Sequence, residues 1–212
     1  MIRWRHFRAT WEVWVLLVGF FLAFAGSMVR WWSVSGTEAP RAARLVERAD
    51  APASAELAKD VEVFFSPGGD ARGAIQQAVG AAQDSILIAM YTFTDFQLSQ
   101  ALLDARGRGV KVLVYLDRSQ ATMRHSQARA LAAAGIALRI SSNPRIMHNK
   151  FAILDDAVVI TGSYNWTKAA GDDNDENLLI VRNAEIAARY REQFVILWNM
   201  WDRKLTDEVY GR

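Results

Sequence analysis

From residue 61 onward the chain alternates between two textures. Runs rich in β-branched and large apolar residues, at Val61 to Phe65, Ser85 to Tyr91, Val110 to Leu116 and Ile136 to Ile140, are separated by stretches rich in Ala, Leu, Gln and Arg. Strands interleaved with helices require crossover connections, so this pattern restricts the chain to an α/β fold in which a sheet is flanked by helices. The intervening stretches, Ala71 to Ala82, Phe96 to Arg106 and about Ser119 to Ala134, carry apolar residues at helical spacing. Thr94-Asp95 offers an N-cap, and Gly107, Gly109 and Gly135 stop the chain before the next strand. Downstream, Lys150 to Leu154, Ala157 to Ile160 and Asn177 to Val181 read as strands, and Ala184 to Trp201 reads as a long closing helix.

The first 60 residues have a different character. Val13 to Val29 is an uncharged apolar run, preceded by Arg3, Arg5 and Arg8 and followed by Arg30, Trp31 and Trp32. Apolar on all faces, it suits a membrane better than the surface of a globular domain. Trp11, Trp14, Trp31 and Trp32 fit the two interfaces of a transmembrane anchor, whereas Ala23-Phe24-Ala25 supplies the small-x-small site of a cleaved signal sequence. Either way, the expected organisation is an N-terminal membrane segment at 1–34, a linker at 35–60 and one folded domain at 61–212. The linker contains Thr37-Glu38-Ala39-Pro40 and Ala51-Pro52-Ala53-Ser54. A basic-first apolar segment directs the downstream chain out of the cytoplasm, so the domain is expected to be extracytoplasmic, in the periplasm: membrane-anchored if the segment stays, secreted if it is cleaved.

Composition removes several function classes. With 51% hydrophobic and 23% charged residues the chain can bury a core. It has no cysteine, which excludes disulfides, thiolate zinc sites and cysteine nucleophiles. A net charge of +2 is compatible with a polyanionic substrate but identifies none.

The chemistry concentrates in His148-Asn149-Lys150-Phe151-Ala152-Ile153-Leu154-Asp155, in Gly162-Ser163-Tyr164-Asn165-Trp166 and in Glu176. A strand beginning at His148 places His148 and Lys150 on one face, because strand side chains repeat with period two. Gly162 frees the backbone to turn, so that Ser163 and Asn165 can bring a hydroxyl and an amide to the same space. A titratable imidazole, a cation and two neutral donors suit a phosphoryl centre, where positioning and charge stabilisation dominate. A neutral imidazole can attack phosphorus when a carboxylate holds its other nitrogen, and Glu176 is the expected holder. No H-E-x-x-H or EF-hand spacing is present, so no metal and no cofactor are called for, and turnover should survive chelators.

The spacing His-x-Lys-x4-Asp, followed after six residues by Gly-Ser-x-Asn, resembles the phospholipase D superfamily. Gly162 to Thr167 (GSYNWT) with Asp175-Glu176-Asn177 is most similar to its small single-motif branch, which holds bacterial Nuc-type endonucleases and mitochondrial phospholipase D-like nucleases. The resemblance covers about Val61 to Arg203 and implies a phospholipase D-like mixed β-sheet. It implies that His148 is the nucleophile or the acid, that Lys150, Ser163 and Asn165 bind phosphate and that Glu176 orients His148. Asp155 belongs to the motif with a mainly structural part.

The family mechanism uses two histidines, one attacking and one protonating the leaving oxygen, and this chain supplies one motif. Neither His6 nor His125 is followed by a lysine two positions on. A two-fold homodimer would therefore bring His148 from each copy to a shared cleft. The expected activity is a sequence-nonspecific endonuclease acting on DNA or RNA through a phosphohistidine; the alternative is a phospholipid phosphodiesterase of phospholipase D or cardiolipin hydrolase type. Core packing is favoured over base stacking for Tyr164 and Trp166, and core or dimer contact for Trp198 and Trp201. Arg118, Arg124, Arg145 and Lys168 are candidates for a basic rim along a nucleic-acid backbone.

Overall fold

The structure is a computed structural model and describes residues 60–211. The membrane segment and nearly all of the linker expected from the sequence lie outside the described residues. Among the described residues no helix is long and apolar enough to cross a membrane.

The apolar, β-branched runs become the strands of one seven-stranded mixed sheet, in the order β1-β7-β6-β5-β2-β3-β4. The strands are β1 (Val61–Ser66), β2 (Ser85–Met90), β3 (Lys111–Leu116), β4 (Ala137–Ile140), β5 (Lys150–Leu154), β6 (Val158–Gly162) and β7 (Glu176–Arg182). β2, β3 and β4 run parallel, as their helical crossovers require. β5, β6, β7 and β1 continue the sheet antiparallel from the other side of β2.

Alternation sends each strand's side chains to two cores. Ile86, Ile88 and Met90 of β2, Val112 and Val114 of β3 and Ala152 and Leu154 of β5 pack on one face. There they meet Ile75 and Val79 of α1 (Ala71–Ala81), Leu98 and Leu102 of α2 (Phe96–Gly107) and Leu131 of α4 (Ala128–Ala133). Leu87, Ala89, Tyr115, Phe151, Ile153 and Val159 point the other way, onto Ala187 and Phe194 of α6 (Ala184–Asn199). A central strand buried on both faces reads as a continuous apolar run, which is the sequence SILIAM at β2.

Two helical expectations are refined. The stretch from Ser119 to Ala134 is not one helix: α3 (Arg118–Ala121) ends, the chain turns through His125, and α4 begins at Ala128. One tertiary and one local bond accompany the break: the Gln127 N–H donates to the Phe93 carbonyl at 3.0 Å, and the Ser126 hydroxyl accepts from the Ala128 N–H. Past α5 (Lys168–Asp172) and α6, a further helix α7 (Arg203–Tyr210) closes the chain, capped by Asp202, whose side chain accepts from the Leu205 N–H at 3.0 Å. α7 lies along the edge strand β4. The Tyr210 hydroxyl accepts from the Leu138 N–H (2.7 Å) and donates to the Ile136 carbonyl, and the Thr206 hydroxyl accepts from the Ile140 N–H.

Candidate active site

β2 and β3 end, and β5 begins, at one edge of the sheet. Next to β5, β6 ends there at Gly162 and β7 begins there at Glu176. Because β5, β6 and β7 are neighbours, this edge gathers Lys150, the loop after Gly162 and Glu176, with Tyr91 just past the end of β2. Open α/β sheets place ligands at the carboxyl ends of their parallel strands, and the edge corresponds to that end of β2 and β3.

His148 and Lys150 meet as the sequence expects, although the strand starts at Lys150 and not at His148. The Lys150 ammonium lies 3.1 Å from His148 Nε2 and donates to the His148 carbonyl at 3.1 Å. Tyr91 packs its ring against the imidazole edge-on, with centroids 4.6 Å apart, and the Lys150 ammonium stands 5.2 Å from the same ring. His148 itself is exposed. Burial lowers the Lys150 ammonium from the ordinary lysine value, and the negative charge of Glu176 opposes that lowering.

The turn after β6 needs glycine. Gly162 has φ +150°, and a Cβ there would come within 2.2 Å of the Asn177 carbonyl oxygen. That close approach lets the Ser163 N–H donate to the Asn177 carbonyl while the Ser163 hydroxyl donates to Glu176 at 2.5 Å and accepts from the Asn177 N–H at 3.0 Å. The other Glu176 oxygen accepts from the Asn174 side chain at 3.1 Å. Within one chain, then, the side-chain hydrogen bonds of Glu176 go to Ser163 and Asn174; the expected hold on the second nitrogen of His148 is not among them. Asn165 turns its side-chain oxygen to the Thr92 N–H at 3.3 Å, which leaves its amide N–H groups to serve as donors.

Asp155 is not brought to this cluster. It stands just past the far end of β5, roughly 16 Å along the strand from Lys150 at ~3.3 Å per residue. There it adopts φ 52° and accepts the backbone N–H groups of Gln83, Asp84 and Ser85 at 2.8–2.9 Å. Its place is a clamp on the start of β2. Tyr164 and Trp166 are each 1% exposed and belong to the core. Of the rim candidates, Arg118 pairs with Asp202 at 3.8 Å and Lys168 with Asp172 at 2.6 Å, while Arg124 and Arg145 are exposed. The Arg139 guanidinium lies 4.5 and 4.6 Å from the ring centroids of Trp198 and Trp201, at the margin of the second core.

Sequence reasoning missed the supports of the site: Tyr91 against the imidazole, Asn174 on Glu176, and the Gln120 side chain bridging Tyr91 and Thr92. Tyr91 looked like one more strand residue, and nothing local marks the other two.

An exposed imidazole paired with an ammonium, beside a hydroxyl and a carboxamide on a mixed α/β sheet, defines a site for handling phosphodiesters. Comparison with known proteins agrees. The model of the family described as cardiolipin synthase, PLD-like domain, matches residues 75–198. The phospholipase D of Rickettsia typhi is 35% identical over 152 residues, 72% of each chain. The mitochondrial cardiolipin hydrolase of Xenopus tropicalis is 39% identical over 121 residues, 57% of this chain and 58% of its own. The crystal structure of Nuc from Salmonella typhimurium, a phospholipase D family member, superposes with a TM-score of 0.65 at 37% identity, covering 67% of this chain and 95% of that one. The chain belongs to the phospholipase D superfamily, in its single-motif branch, and is a phosphodiester-hydrolysing enzyme.

Proposed function

We propose that this enzyme is a sequence-nonspecific endonuclease that hydrolyses DNA or RNA, without a metal, at a site shared by two copies of the chain. The observation that carries the reading is the single His148–Lys150 pair lying exposed at the sheet edge. Among the described residues the other histidine, His125, lies in the turn between α3 and α4 with no lysine beside it. One copy therefore offers a nucleophile without an acid, and a two-fold axis through the edge supplies the acid from the second copy.

The steps follow from these groups. His148 Nε2 forms a bond to phosphorus as the ester P–O bond breaks, and the leaving oxygen takes a proton from the imidazolium of the second copy's His148. Water then attacks phosphorus, its proton returns to that second imidazole, and the N–P bond breaks, restoring both protonation states. Lys150 exchanges its contact with Nε2 for a phosphate oxygen, which frees the lone pair for attack. Ser163 and Asn165 add donors around the phosphoryl oxygens.

Support for a nucleic-acid substrate comes from the likeness to Nuc over 95% of that chain and from the Nuc-type sequence around Gly162 and Glu176. A phospholipid substrate has its own support: the 39% identical relative is named a cardiolipin hydrolase, and an apolar segment precedes the domain. That segment also favours tethering of the enzyme outside the cytoplasm, which a periplasm-dependent reporter fused to the C-terminus would report by its activity. To decide the substrate, the enzyme and its His148→Ala variant are incubated with single-stranded DNA, duplex DNA, RNA and cardiolipin vesicles. Cleavage of nucleic acid by the parent alone is expected, and EDTA should leave it intact. Turnover of lipid and of nothing else would replace the nuclease reading with the phospholipid one.

A further inference from the structure

Behind the exposed histidine lies a carboxylate that the chemistry above does not use. Asp117, immediately after β3, is 0% exposed, and its acceptors are divided between two parts of the chain. Oδ1 accepts the Ser119 N–H at 2.9 Å, the Ser119 hydroxyl at 2.6 Å and the Gln120 N–H at 3.2 Å, capping α3. Oδ2 accepts the Met147 N–H at 2.8 Å, and Met147 directly precedes His148. Capping alone uses one oxygen; the second reaches 30 residues along the chain to the backbone that carries the imidazole.

α3 also supports the imidazole through Tyr91. Gln120 accepts from the Thr92 hydroxyl at 3.1 Å and donates to the Tyr91 hydroxyl at 3.4 Å, and Tyr91 is the ring packed edge-on against His148. Between Ile140 and Lys150 the chain has no strand or helix of its own, so its course into the site depends on such tethers. On the near side of His148 these are the buried bond from Met147 to Asp117 and, just beyond it, the bond from the Tyr91 N–H to the Asn149 carbonyl at 2.9 Å.

The geometry points to Asp117 as a positioning residue for the catalytic histidine, fixing the attack trajectory of His148 through the Met147 backbone while anchoring the helix that supports Tyr91. Acceptor-only chemistry is essential, because four donors converge on a buried group and a carboxylate is the side chain that meets them all. A carboxamide can cap α3 with its oxygen, but its NH2 then faces the Met147 N–H, donor against donor. Displacement of a reacting group by about 1 Å can cost on the order of 100-fold in rate.

The inference rests on His148 as the attacking group, so its test begins with full-length enzyme hydrolysing bis(p-nitrophenyl) phosphate and with loss of that turnover in His148→Ala; retained turnover there would overturn the mechanism and this inference together. Given that loss, Asp117→Asn should lower kcat, normalised to the burst of covalent enzyme, about 10- to 100-fold with KM within about 2-fold. Ser119→Ala, which removes the hydroxyl bond on the helix side alone, should stay near the parent. Should Asp117→Asn not fold, an ester in place of the Met147 amide removes the same N–H and should give the same selective loss of kcat. Parental kcat per active site in either variant, or an equal loss in Ser119→Ala, would overturn the proposal and leave Asp117 as a helix cap.

Discussion

The Asp155 carboxylate is held by three backbone N–H groups at the end of β5 away from the site. Burial pushes it up, but the bonds from Ser85, Gln83 and Asp84 outweigh that and leave it below the ordinary value of 3.8. A carboxylate lowered on folding stabilises the fold fully above its unfolded value and loses that contribution as pH falls through the folded one. Asp155→Ala should therefore cost about 1–3 kcal/mol at neutral pH in urea unfolding, with a deficit that shrinks below pH ~4. Its kcat per folded molecule should match the parent. His148→Ala should do the reverse, keeping the melting temperature and losing about 10^4-fold or more in turnover. The motif thus joins two residues with separable readouts, one in stability and one in rate.

At the level of elements, the turn between β6 and β7 is the least tolerant. Gly162→Ala would place a methyl against the Asn177 carbonyl at an unfavourable φ and split Ser163 from Glu176. The expected result is a loss of about 1–3 kcal/mol together with reduced turnover, measured by thermal melting and by hydrolysis of bis(p-nitrophenyl) phosphate. Most strands were legible in the sequence because a sheet covered on both faces leaves unbroken apolar runs, as in SILIAM at β2, and because glycines end the helices before β3 and β4. His148, Lys150, Ser163 and Asn165 were legible through their spacing, which sets them at the ends of neighbouring strands. What escaped notice depends on distant partners. The gap between α3 and α4 contains neither proline nor glycine and is opened by the bond from Gln127 to Phe93. Asp117 reads locally as a helix cap, and its tie to Met147 has no local signature. α7 did carry signals, Asp202 at its start and the left-handed Gly211 at its end, but the long apolar stretch before it looked like the last element.

For the whole molecule, stoichiometry has a direct test in subunit mixing. If two copies each contribute one His148, an equal mixture of parent and His148→Ala chains, fully exchanged, should retain about a quarter of the parent activity; independent sites would retain about half. A different consequence of the architecture concerns the margin of the sheet at β4. The outward N–H groups of Leu138 and Ile140 are spent on the hydroxyls of Tyr210 and Thr206, so α7 closes a seam along which a foreign strand could otherwise add. A chain cut back before Arg203 should thus keep His148 and Lys150 in place yet self-associate into β-rich fibres that bind thioflavin. The last turns of helix would then act as a guard on solubility.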